Sequence, residues 1–311
     1  MTQTELAVKT VDILIIGAGT AGLSAAIYGL RAGCRVILTE ANVHGGQIIN
    51  TSVVENYPAI EEISGFDFAQ NLYKQVKKLG GQVIYQKIQG LNLAGDTKTI
   101  ETNRSIFKAK TVIIATGVTH RVLGVQGEDK LMGRGISFCA TCDGAFFKEK
   151  TTMVVGGGNT ALEDALFLAN LCPKVYLVHR RDAFRGHQIL ADQVKAKDNI
   201  EIIYDSTVEE FIGDLRLTQV KVKNKNTGDT RLLEVDGAFM AVGQIPQNQM
   251  FAGSITLDAE GYILAGEDCK TNLPGVWCAG DCRQKPLRQL ITAAADGAVA
   301  ATGAAAYLHS L

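Results

Sequence analysis

Two cysteines separated by two residues stand near the middle of the chain. Cys139 and Cys142 form a C-x-x-C pair, and Asp143 follows directly. This spacing favours a redox dithiol, in which one thiolate attacks a disulfide and the second cysteine resolves the mixed disulfide. A helical first turn starting here would lower a thiol pKa, and the Asp143 carboxyl could donate or accept the proton that the exchange requires.

Two other interpretations of the pair are open, but both are disfavoured. A structural zinc site normally needs two such pairs, and Cys278 and Cys282 have three residues between them and fall in a different predicted domain. A purely structural disulfide is disfavoured in a reducing compartment. We therefore predict no metal site. We interpret Cys278 and Cys282 as small buried hydrophobic residues, with a second redox pair as the alternative.

The composition narrows the class of partner. The chain has 311 residues, of which 46% are hydrophobic, and 31 Lys and Arg balance 32 Asp and Glu. No basic field therefore attracts nucleic acid or anionic lipid. We see no run that predicts a membrane span and no signal-peptide pattern in the first ten residues. With seven sparse cysteines, these features predict a cytoplasmic protein with a protein or small-molecule partner.

An internal duplication predicts the elements that position this dithiol. An apolar run over 11–16 enters a glycine turn and an alanine-rich helical stretch that stops at Gly33, and the same pattern recurs 139 residues later (156 − 17). A strand, a glycine turn and a helix N-terminus form a dinucleotide-binding unit, because unpaired N–H groups there face a pyrophosphate. The residues of the two turns are Gly17, Gly19, Thr20, Ala21 and Gly22 in the first copy and Gly156, Gly158, Asn159 and Thr160 in the second.

The charge that follows each copy differs in sign. Glu40 lies 23 residues after the first turn begins (40 − 17), where a carboxylate hydrogen-bonds a ribose 2′-hydroxyl. At the same distance in the second copy (179 − 156) the sequence is His179-Arg180-Arg181. Guanidinium groups bind a 2′-phosphate and a carboxylate repels it. We therefore predict an adenosine with a free ribose in the first unit and NADPH in the second, and a solvated basic patch is the alternative.

These sites imply a flavin. NADPH delivers a hydride, and a flavin can accept it and pass two electrons to a disulfide, so the first unit is predicted to hold FAD. The predicted electron order is NADPH, FAD, Cys139–Cys142 and an external acceptor. Because two nucleotide-binding units use up the chain, a protein disulfide is the favoured acceptor.

The remaining strand-like segments predict the domain organisation. The segments 111–115 and 237–242 each close a unit, and a third strand over 275–281 with a helix behind it must join a sheet. We predict an α/β fold of two Rossmann-like domains, with the second inserted into the first. Residues 1–118 and 246–311 form the discontinuous FAD-binding domain, and residues 119–245 form the NADPH-binding domain that carries the C-x-x-C pair. The short crossings between them could serve as hinges.

Over essentially its whole length the chain resembles the low-molecular-weight, bacterial-type thioredoxin reductases. The motifs that carry the resemblance are GAGTAG at 17, GGQ at 45, VENYP at 54, IIATG at 113, CATCDG at 139, GGGNTALEDAL at 156, HRRDAFR at 179, AGD at 279 and RQLITAAADG at 288. The resemblance implies NADPH-dependent reduction of the thioredoxin disulfide through FAD and the Cys139/Cys142 pair. It also implies a homodimer and a rotation of one domain between flavin-reducing and flavin-oxidising states.

The resemblance also assigns roles to individual residues. Cys139 would attack thioredoxin, Cys142 would face the flavin and Asp143 would be the general acid. Arg180, Arg181 and Arg185, in the motif that His179 begins, would hold the NADPH 2′-phosphate. The residues that would line the FAD are Gly45, Gly46, Gln47, Asn56, Ala115, Thr116, Gly117, Gly280, Asp281, Arg288, Gln289 and Leu290.

Other activities of the same fold stay open at this point. A related reductase takes electrons from ferredoxin, although the intact His179-Arg180-Arg181 segment argues against it. A flavin-dependent dithiol oxidase would instead pass electrons to oxygen. A protein that only binds nucleotides would show no redox turnover. The remaining histidines have no partners at ligand spacing and are assigned no role; they are His44, His120, His187 and His309.

Overall fold

The chain forms two compact units. A computed structural model describes residues 6–51 and 53–311; residues 1–5, which begin the N-terminal stretch considered above, and Ser52 lie outside the described part. One unit comprises the residues up to Thr119 together with Ile245–Leu311, and the other comprises His120–Gln244. Each is built on a parallel sheet flanked by helices, which confirms the predicted α/β class with two Rossmann-like units.

Seventeen strands and seven α-helices make up the described part of the chain. The strands are β1 (Ala7–Ile16), β2 (Val36–Glu40), β3 (Gln82–Tyr85), β4 (Ile88–Asn92), β5 (Lys98–Thr102), β6 (Ser105–Ile114), β7 (Val118–His120), β8 (Ile136–Ser137), β9 (Thr151–Gly156), β10 (Lys174–Val178), β11 (Ile200–Ile203), β12 (Ser206–Ile212), β13 (Gln219–Asn224), β14 (Thr230–Glu234), β15 (Gly237–Ala241), β16 (Gln244–Pro246) and β17 (Val276–Cys278). The helices are α1 (Thr20–Arg31), α2 (Gly65–Lys78), α3 (Glu128–Leu131), α4 (Ala140–Asp143), α5 (Asn159–Ala169), α6 (Gln188–Lys195) and α7 (Leu290–His309).

The first unit has a seven-stranded sheet with a parallel core. The parallel strands lie in the order β3-β2-β1-β6-β17, and an antiparallel hairpin of β4 and β5 extends from the first half of β6. β1 pairs with β2 on one side and with β6 on the other, and its residues from Ile13 to Ile16 are buried. This burial on both faces explains why the strand reads as a continuous apolar run.

The second unit repeats this arrangement. Its parallel strands lie in the order β11-β10-β9-β15-β8, and a separate three-stranded antiparallel sheet contains β12, β13 and β14. β9, β10, β11 and β15 therefore correspond to β1, β2, β3 and β6. The fifth parallel strand of each sheet comes from a different part of its unit. In the first unit it is β17, the last strand along the chain, and in the second unit it is β8, which precedes the other four. The duplication predicted from the two glycine turns is confirmed at the level of topology.

Helix α7 packs its small residues closely on α1. A β-carbon at Gly297 of α7 would overlap the carbonyl oxygen of Ala21 in α1, so the two backbones approach to a distance that only glycine allows. Trp277 of β17 is buried at 3% exposure and lies against the same helix at Gly303. By length and composition α7 alone among the described helices could span a membrane, contrary to our expectation that no such run exists. Its buried alanines belong to the core that α1 and β1 share.

The chain passes between the two units at β7 and at β16, and these two short strands pair with each other. Their role as hinges stays a prediction. Helix α1 ends as predicted, since Gly33 follows it with a φ of 81°, a left-handed conformation that suits the position after a helix C-terminus.

Candidate active site and nucleotide sites

The C-x-x-C pair forms a disulfide at the start of a short helix. The Cα atoms of Cys139 and Cys142 are 5.3 Å apart, and Cys139 is the N-cap of α4. The Cys139 carbonyl oxygen accepts hydrogen bonds from the backbone N–H groups of Cys142 (3.3 Å) and Asp143 (3.1 Å). The helical first turn predicted at the pair is confirmed. The lowered thiol pKa expected at this position stays a prediction.

Asp143 is partly buried beside the disulfide and is held by a serine. Its Oδ2 accepts a hydrogen bond of 2.6 Å from the Ser137 hydroxyl. Burial raises the pKa of Asp143, and the bond from Ser137 opposes that rise in part. No Lys, Arg or His within the described residues forms an ion pair with this carboxylate. A carboxyl in this environment retains its proton to a higher pH than usual, which suits proton exchange with a thiol.

The glycine turn of the first unit combines required glycines with open space. Gly17 has a φ of 104°, and a β-carbon there would overlap the carbonyl oxygen of Ala115. A β-carbon at Gly22 would overlap the carbonyl oxygen of Gly17. At Gly19 the nearest atom would be a Cα 3.8 Å away, so the fold alone does not require glycine there. The missing side chain at Gly19 leaves room for a ligand to approach the backbone.

Helix α1 begins at this turn with its N–H groups uncapped by side chains. Gly19 is the N-cap, and the first turn, which includes Thr20 and Ala21, contains no acidic residue. Glu40, at the end of β2, accepts hydrogen bonds from the backbone N–H groups of Ala18 and Asn42, both 2.9 Å long. The carboxylate predicted to meet a ribose is therefore fixed next to the turn predicted to meet a pyrophosphate.

A second glycine pair lies against this turn. The Gly45 N–H donates to the Ala18 carbonyl (2.7 Å), and a β-carbon at Gly46 would lie 3.2 Å from the Cα of Gly19. Gln47 follows in an exposed 3₁₀ turn. The structure thus brings the GGQ segment and the first glycine turn together, as a shared ligand site requires.

His44 anchors this segment, which the sequence did not indicate. Its Nδ1 lies 2.6 Å from the Tyr85 hydroxyl and its Nε2 lies 2.9 Å from the Gln70 amide nitrogen. Its ring stacks on Tyr73 with 4.1 Å between centroids. The partners are far from His44 in sequence, on α2 and β3, so spacing alone carries no signal for this cluster.

The carboxyl ends of the parallel strands bring further predicted residues to the same edge of the first sheet. Ala115, Thr116 and Gly117 follow β6, and Gly280 and Asp281 follow β17. Ligands bind at this edge of open parallel sheets. Asn56 joins the start of α7, because its amide nitrogen donates to Oε1 of Gln289 (3.2 Å). The remaining two members lie beside Gln289, at Arg288 and Leu290.

Asp281 provides a test of whether this edge fits FAD. Its Oδ1 is buried and has no hydrogen-bond partner in the described structure. Burial raises the pKa of Asp281, and the charges of Lys285 and Arg288 oppose the rise. A buried acceptor without a donor is costly, so the site requires a donor from a ligand or from water. A flavin dinucleotide carries several hydroxyl donors, so the buried Oδ1 of Asp281 fits this ligand.

A buried ion cluster supports the turn that carries Asp281. Asp296 of α7 accepts hydrogen bonds from the Gly280 N–H (3.0 Å), from two guanidinium nitrogens of Arg283 (both 2.8 Å) and from Nζ of Lys285 (2.7 Å). All three side chains are nearly inaccessible to solvent. Burial alone would raise the pKa of Asp296, but the bonds from Arg283 and Lys285 outweigh it and lower the pKa. The sequence signal was a lone aspartate in an alanine-rich helix, which we did not interpret.

Cys278 and Cys282 flank the turn that carries Gly280 and Asp281 and are not joined by a disulfide. Both are fully buried, which confirms that part of the prediction, and their Sγ atoms are 3.5 Å apart. A second redox pair stays the alternative interpretation.

The second glycine turn has the same division between packing and open space. A β-carbon at Gly156 would overlap the Ala241 carbonyl, and one at Gly157 would overlap the His179 ring. At Gly158 a β-carbon would have no atom within 4 Å. Gly158 is the N-cap of α5, whose first turn has neither a side-chain cap nor an acidic residue. The turn therefore leaves backbone N–H groups and space for a phosphate.

The arginine segment folds back over this turn. The Arg185 N–H donates to the Gly157 carbonyl (2.7 Å), and Oδ1 of Asn159 accepts from the His187 N–H (2.7 Å). Thr160 lies next to Asn159 in the first turn of α5. The structure therefore brings the predicted residues of the HRRDAFR segment to the second glycine turn.

The side chains of this segment divide by exposure. Arg180, Arg181 and Arg185 are exposed, and no ion pair to an acidic side chain is formed by any of them within the described residues. His179 instead is buried, and its Nε2 lies 3.1 Å from the Ala183 carbonyl oxygen. Burial lowers the pKa of His179, and the three arginines add to this effect. The exposed guanidinium groups can bind a phosphate, whereas the buried His179 ring packs against Gly157 of the turn.

Comparison with known proteins places this architecture in a family. The model of the pyridine nucleotide-disulphide oxidoreductases matches residues 11–298. The chain belongs to this family. It is 42% identical to the thioredoxin reductase of Listeria innocua, with 97% of this chain and 95% of that protein covered. It is 38% identical to the thioredoxin reductase of Treponema pallidum, with 96% and 98% covered.

A solved structure agrees with these relatives. The crystal structure of thioredoxin reductase from Streptococcus pyogenes MGAS5005 superposes with a TM-score of 0.93 at 42% identity. It covers 97% of this chain, and 99% of that chain is covered in return.

Proposed function

We propose that this protein is an NADPH-dependent thioredoxin reductase, a flavoprotein that reduces the disulfide of thioredoxin. The observation that carries the proposal is that one unit holds both the Cys139–Cys142 disulfide and a glycine turn, with three exposed arginines on the segment that bonds to this turn. The other unit, which is the first in chain order, has a glycine turn with the Glu40 carboxylate beside it. The proposal is further supported by relatives that carry this name and align over nearly the whole chain.

Residues 1–118 and 246–311, within the first unit, are the proposed FAD-binding domain. Glu40 would receive the ribose hydroxyl, and the N-terminus of α1 with Gly19 would receive the pyrophosphate. The buried Oδ1 of Asp281 would accept a hydroxyl of the ligand. When bound, FAD supplies two-electron chemistry between a hydride donor and a disulfide.

Residues 119–245 are the proposed NADPH-binding domain. The uncapped N-terminus of α5 would hold the pyrophosphate beside Gly158. Arg180, Arg181 and Arg185 would hold the 2′-phosphate, because a guanidinium group matches phosphate geometry with two hydrogen bonds. The intact arginine set favours NADPH over ferredoxin as the electron donor.

The dithiol would act at the start of α4. Cys139 would attack the thioredoxin disulfide, Cys142 would exchange with the flavin, and Asp143 would move the proton as general acid. Because the nicotinamide site and the dithiol belong to one unit and each must reach the flavin within about 3–3.5 Å, the two would alternate there through domain rotation.

The compartment, the partner and the oligomeric state are inferred from the charge balance and from the resemblance to the bacterial-type thioredoxin reductases. The charge balance of 31 basic to 32 acidic residues supports a small redox protein as partner rather than nucleic acid or a membrane. We infer that it works in the cytoplasm as a homodimer.

One assay tests the proposal against its alternatives. The flavin-loaded protein is mixed with NADPH under anaerobic conditions, and the flavin spectrum and NADPH oxidation are followed with and without oxidised thioredoxin. Bleaching by NADPH and turnover only with thioredoxin are expected. Bleaching by reduced ferredoxin but not by NADPH would refute the proposal in favour of the ferredoxin-dependent alternative. In a parallel assay in air, hydrogen peroxide release from a dithiol without NADPH consumption would refute it in favour of the oxidase.

A further inference from the structure

Ser137 connects the two ends of the dithiol segment. It is the last residue of β8 and is 7% exposed. Its hydroxyl donates to Oδ2 of Asp143 over 2.6 Å and accepts from the backbone N–H of Cys139 over 3.1 Å. One buried hydroxyl therefore binds both the general-acid candidate and the backbone of the attacking cysteine.

The hydroxyl can serve both protonation states of Asp143. When Asp143 is ionised, the Ser137 O–H donates to the carboxylate, as in the structure. When Oδ2 carries a proton, it can donate to the Ser137 oxygen, and the serine proton can turn to the Cys139 carbonyl oxygen, 3.5 Å away. A serine oxygen has one donor and two acceptor positions, so the Cys139 N–H stays bonded in both states. A proton can thus be gained or lost at Oδ2 without releasing the carboxyl from its place.

We propose that Ser137 is a positioning residue for the dithiol chemistry. Its hydroxyl keeps the Asp143 carboxyl and the Cys139 backbone hydrogen-bonded while Asp143 gains and loses its proton. The proposal rests on the proposed function, because it assigns Ser137 to the reaction of the same disulfide. Nothing in the C-x-x-C motif itself predicts this role, since Ser137 lies outside the motif and acts only through Asp143 and Cys139.

Two segments packed near Ser137 and Asp143 carry other ionisable groups. Helix α5 packs against α4 and carries Glu163 and Asp164. His120 stacks on Phe138, the residue between Ser137 and Cys139, with 4.4 Å between ring centroids. Burial lowers the pKa of His120, which leaves its ring neutral at neutral pH. Ser137 is the one side chain that hydrogen-bonds Asp143 in the described structure, so its removal acts on Asp143 directly.

The test compares three variants of the full-length, flavin-loaded protein. Ser137→Ala removes the hydroxyl, Ser137→Thr retains one, and Ser206→Ala removes another buried hydroxyl of the same unit that bonds only the Tyr204 carbonyl in the described structure. NADPH- and thioredoxin-dependent turnover is measured across pH. Separately, the protein is reduced with dithiothreitol, and alkylation of Cys139 and Cys142 by iodoacetamide is followed across pH by mass spectrometry.

In Ser137→Ala we expect about a tenfold loss of kcat with little change in KM for thioredoxin, since a hydrogen bond to an ionisable group is lost. The alkaline limb of the turnover profile should move to higher pH, because a bond that favours ionised Asp143 is gone. The alkylation profile should move to lower pH, because neutral Asp143 no longer opposes a thiolate beside it.

Ser137→Thr should restore both profiles, and Ser206→Ala should leave them unchanged. Profiles of Ser137→Ala that match those of Ser206→Ala, or a Ser137→Thr variant as shifted as Ser137→Ala, would overturn the proposal. If the wild-type protein shows no turnover with NADPH and thioredoxin, the proposed function fails. The alkylation profiles then still decide the role of Ser137.

Discussion

The imidazole ring of His179 occupies the space that a side chain at Gly157 would need. The next glycine, Gly158, faces open space instead. Two adjacent glycines of one turn therefore serve different purposes: the first makes room for the protein itself, and the second leaves room for something that binds to it. This contrast separates folding from ligand binding in a way that experiments can use.

Gly158→Ala should weaken NADPH binding without weakening the fold. The backbone φ of Gly158 is −93°, which alanine adopts readily, and the added methyl group meets no protein atom. It would instead lie where the pyrophosphate approaches the backbone. We expect about a tenfold or greater rise in the Kd of NADPH, measured by calorimetry, and an unchanged free energy of unfolding. Gly157→Ala is the matched control and should lower the free energy of unfolding, because its methyl group overlaps the His179 ring. Equal stability losses in both variants would contradict this division.

Replacing Arg180 and Arg181 together by alanine should discriminate between the two nicotinamide cofactors. Only NADPH carries the 2′-phosphate, and each guanidinium–phosphate bond is worth about tenfold in affinity or more. The Kd of NADPH should therefore rise at least about tenfold while that of NADH changes little. Arg216→Ala removes another exposed arginine of the same unit and is the control. An equal loss for NADPH and NADH would remove these arginines from the phosphate site.

Cys139→Ser should separate the two half-reactions. Without the attacking thiol the protein cannot form a mixed disulfide with thioredoxin, so turnover should fall to background. NADPH should still bleach the flavin in a rapid-mixing experiment, because the nucleotide sites do not use this thiol. The control is Cys34→Ser, which changes a partly exposed cysteine of the other unit and should retain full turnover. Persistent thioredoxin reduction by the Cys139→Ser variant would exclude Cys139 as the nucleophile.

The parts of the fold that the sequence predicted are those with a local physical signature. The strands over 11–16 and 152–155 are buried on both faces of a parallel sheet, so each reads as an apolar run. Each is followed by glycines that the turn requires, as at Gly17, where a side chain would overlap the carbonyl oxygen of Ala115 just after β6. The opposite charges of Glu40 and of the segment that begins at His179 were equally readable, because each comes at the end of a strand and 23 residues after the start of its turn.

The residues that the sequence did not indicate act through contacts between distant segments. His44 bonds to Tyr85 and Gln70, and Asp296 bonds to Arg283 and Lys285, in pairings that only the folded chain creates. A lone histidine or a lone aspartate has no periodicity or spacing to interpret. The burial of His179 was missed for the same reason, since the ring and the glycine that accommodates it lie on different segments of the unit.

Asp281→Ala should weaken FAD binding while leaving the flavin-free protein at least as stable. The buried Oδ1 of Asp281 has no hydrogen-bond partner among the described residues, so its removal relieves a desolvation cost in the absence of ligand. In the presence of FAD the same change removes an acceptor, and the Kd of FAD, measured by fluorescence titration of the apo-protein, should rise about tenfold or more. Asp268→Ala, at an exposed carboxylate of the same unit, is the control and should leave the Kd of FAD unchanged. A less stable apo-protein with unchanged FAD affinity would show that Asp281 has a structural role instead.

Asp164→Asn should stabilise the protein at neutral and alkaline pH but not in acid. Burial, with a smaller contribution from the charge of Glu163, raises the pKa of Asp164 from 3.8 to about 7. Since the pKa in the folded state lies above that of the unfolded chain, Asp164 contributes most to stability below about pH 4, and this contribution is lost as the pH rises through 7. Asparagine carries no charge to bury, so it removes the penalty that develops over this range.

At pH 8 the gain in free energy of unfolding from Asp164→Asn should approach, at most, about 4 kcal/mol, since each pKa unit corresponds to about 1.4 kcal/mol. Urea unfolding of the wild-type and variant proteins at pH 4.5, 6 and 8 measures it, and the difference should grow steadily with pH. Glu163→Gln is the matched control: this side chain is exposed, so removing its charge should give only a small part of the gain. A difference between wild type and Asp164→Asn that stays constant from pH 4.5 to 8 would mean that Asp164 does not titrate in this range, because only a change in protonation makes the gain depend on pH.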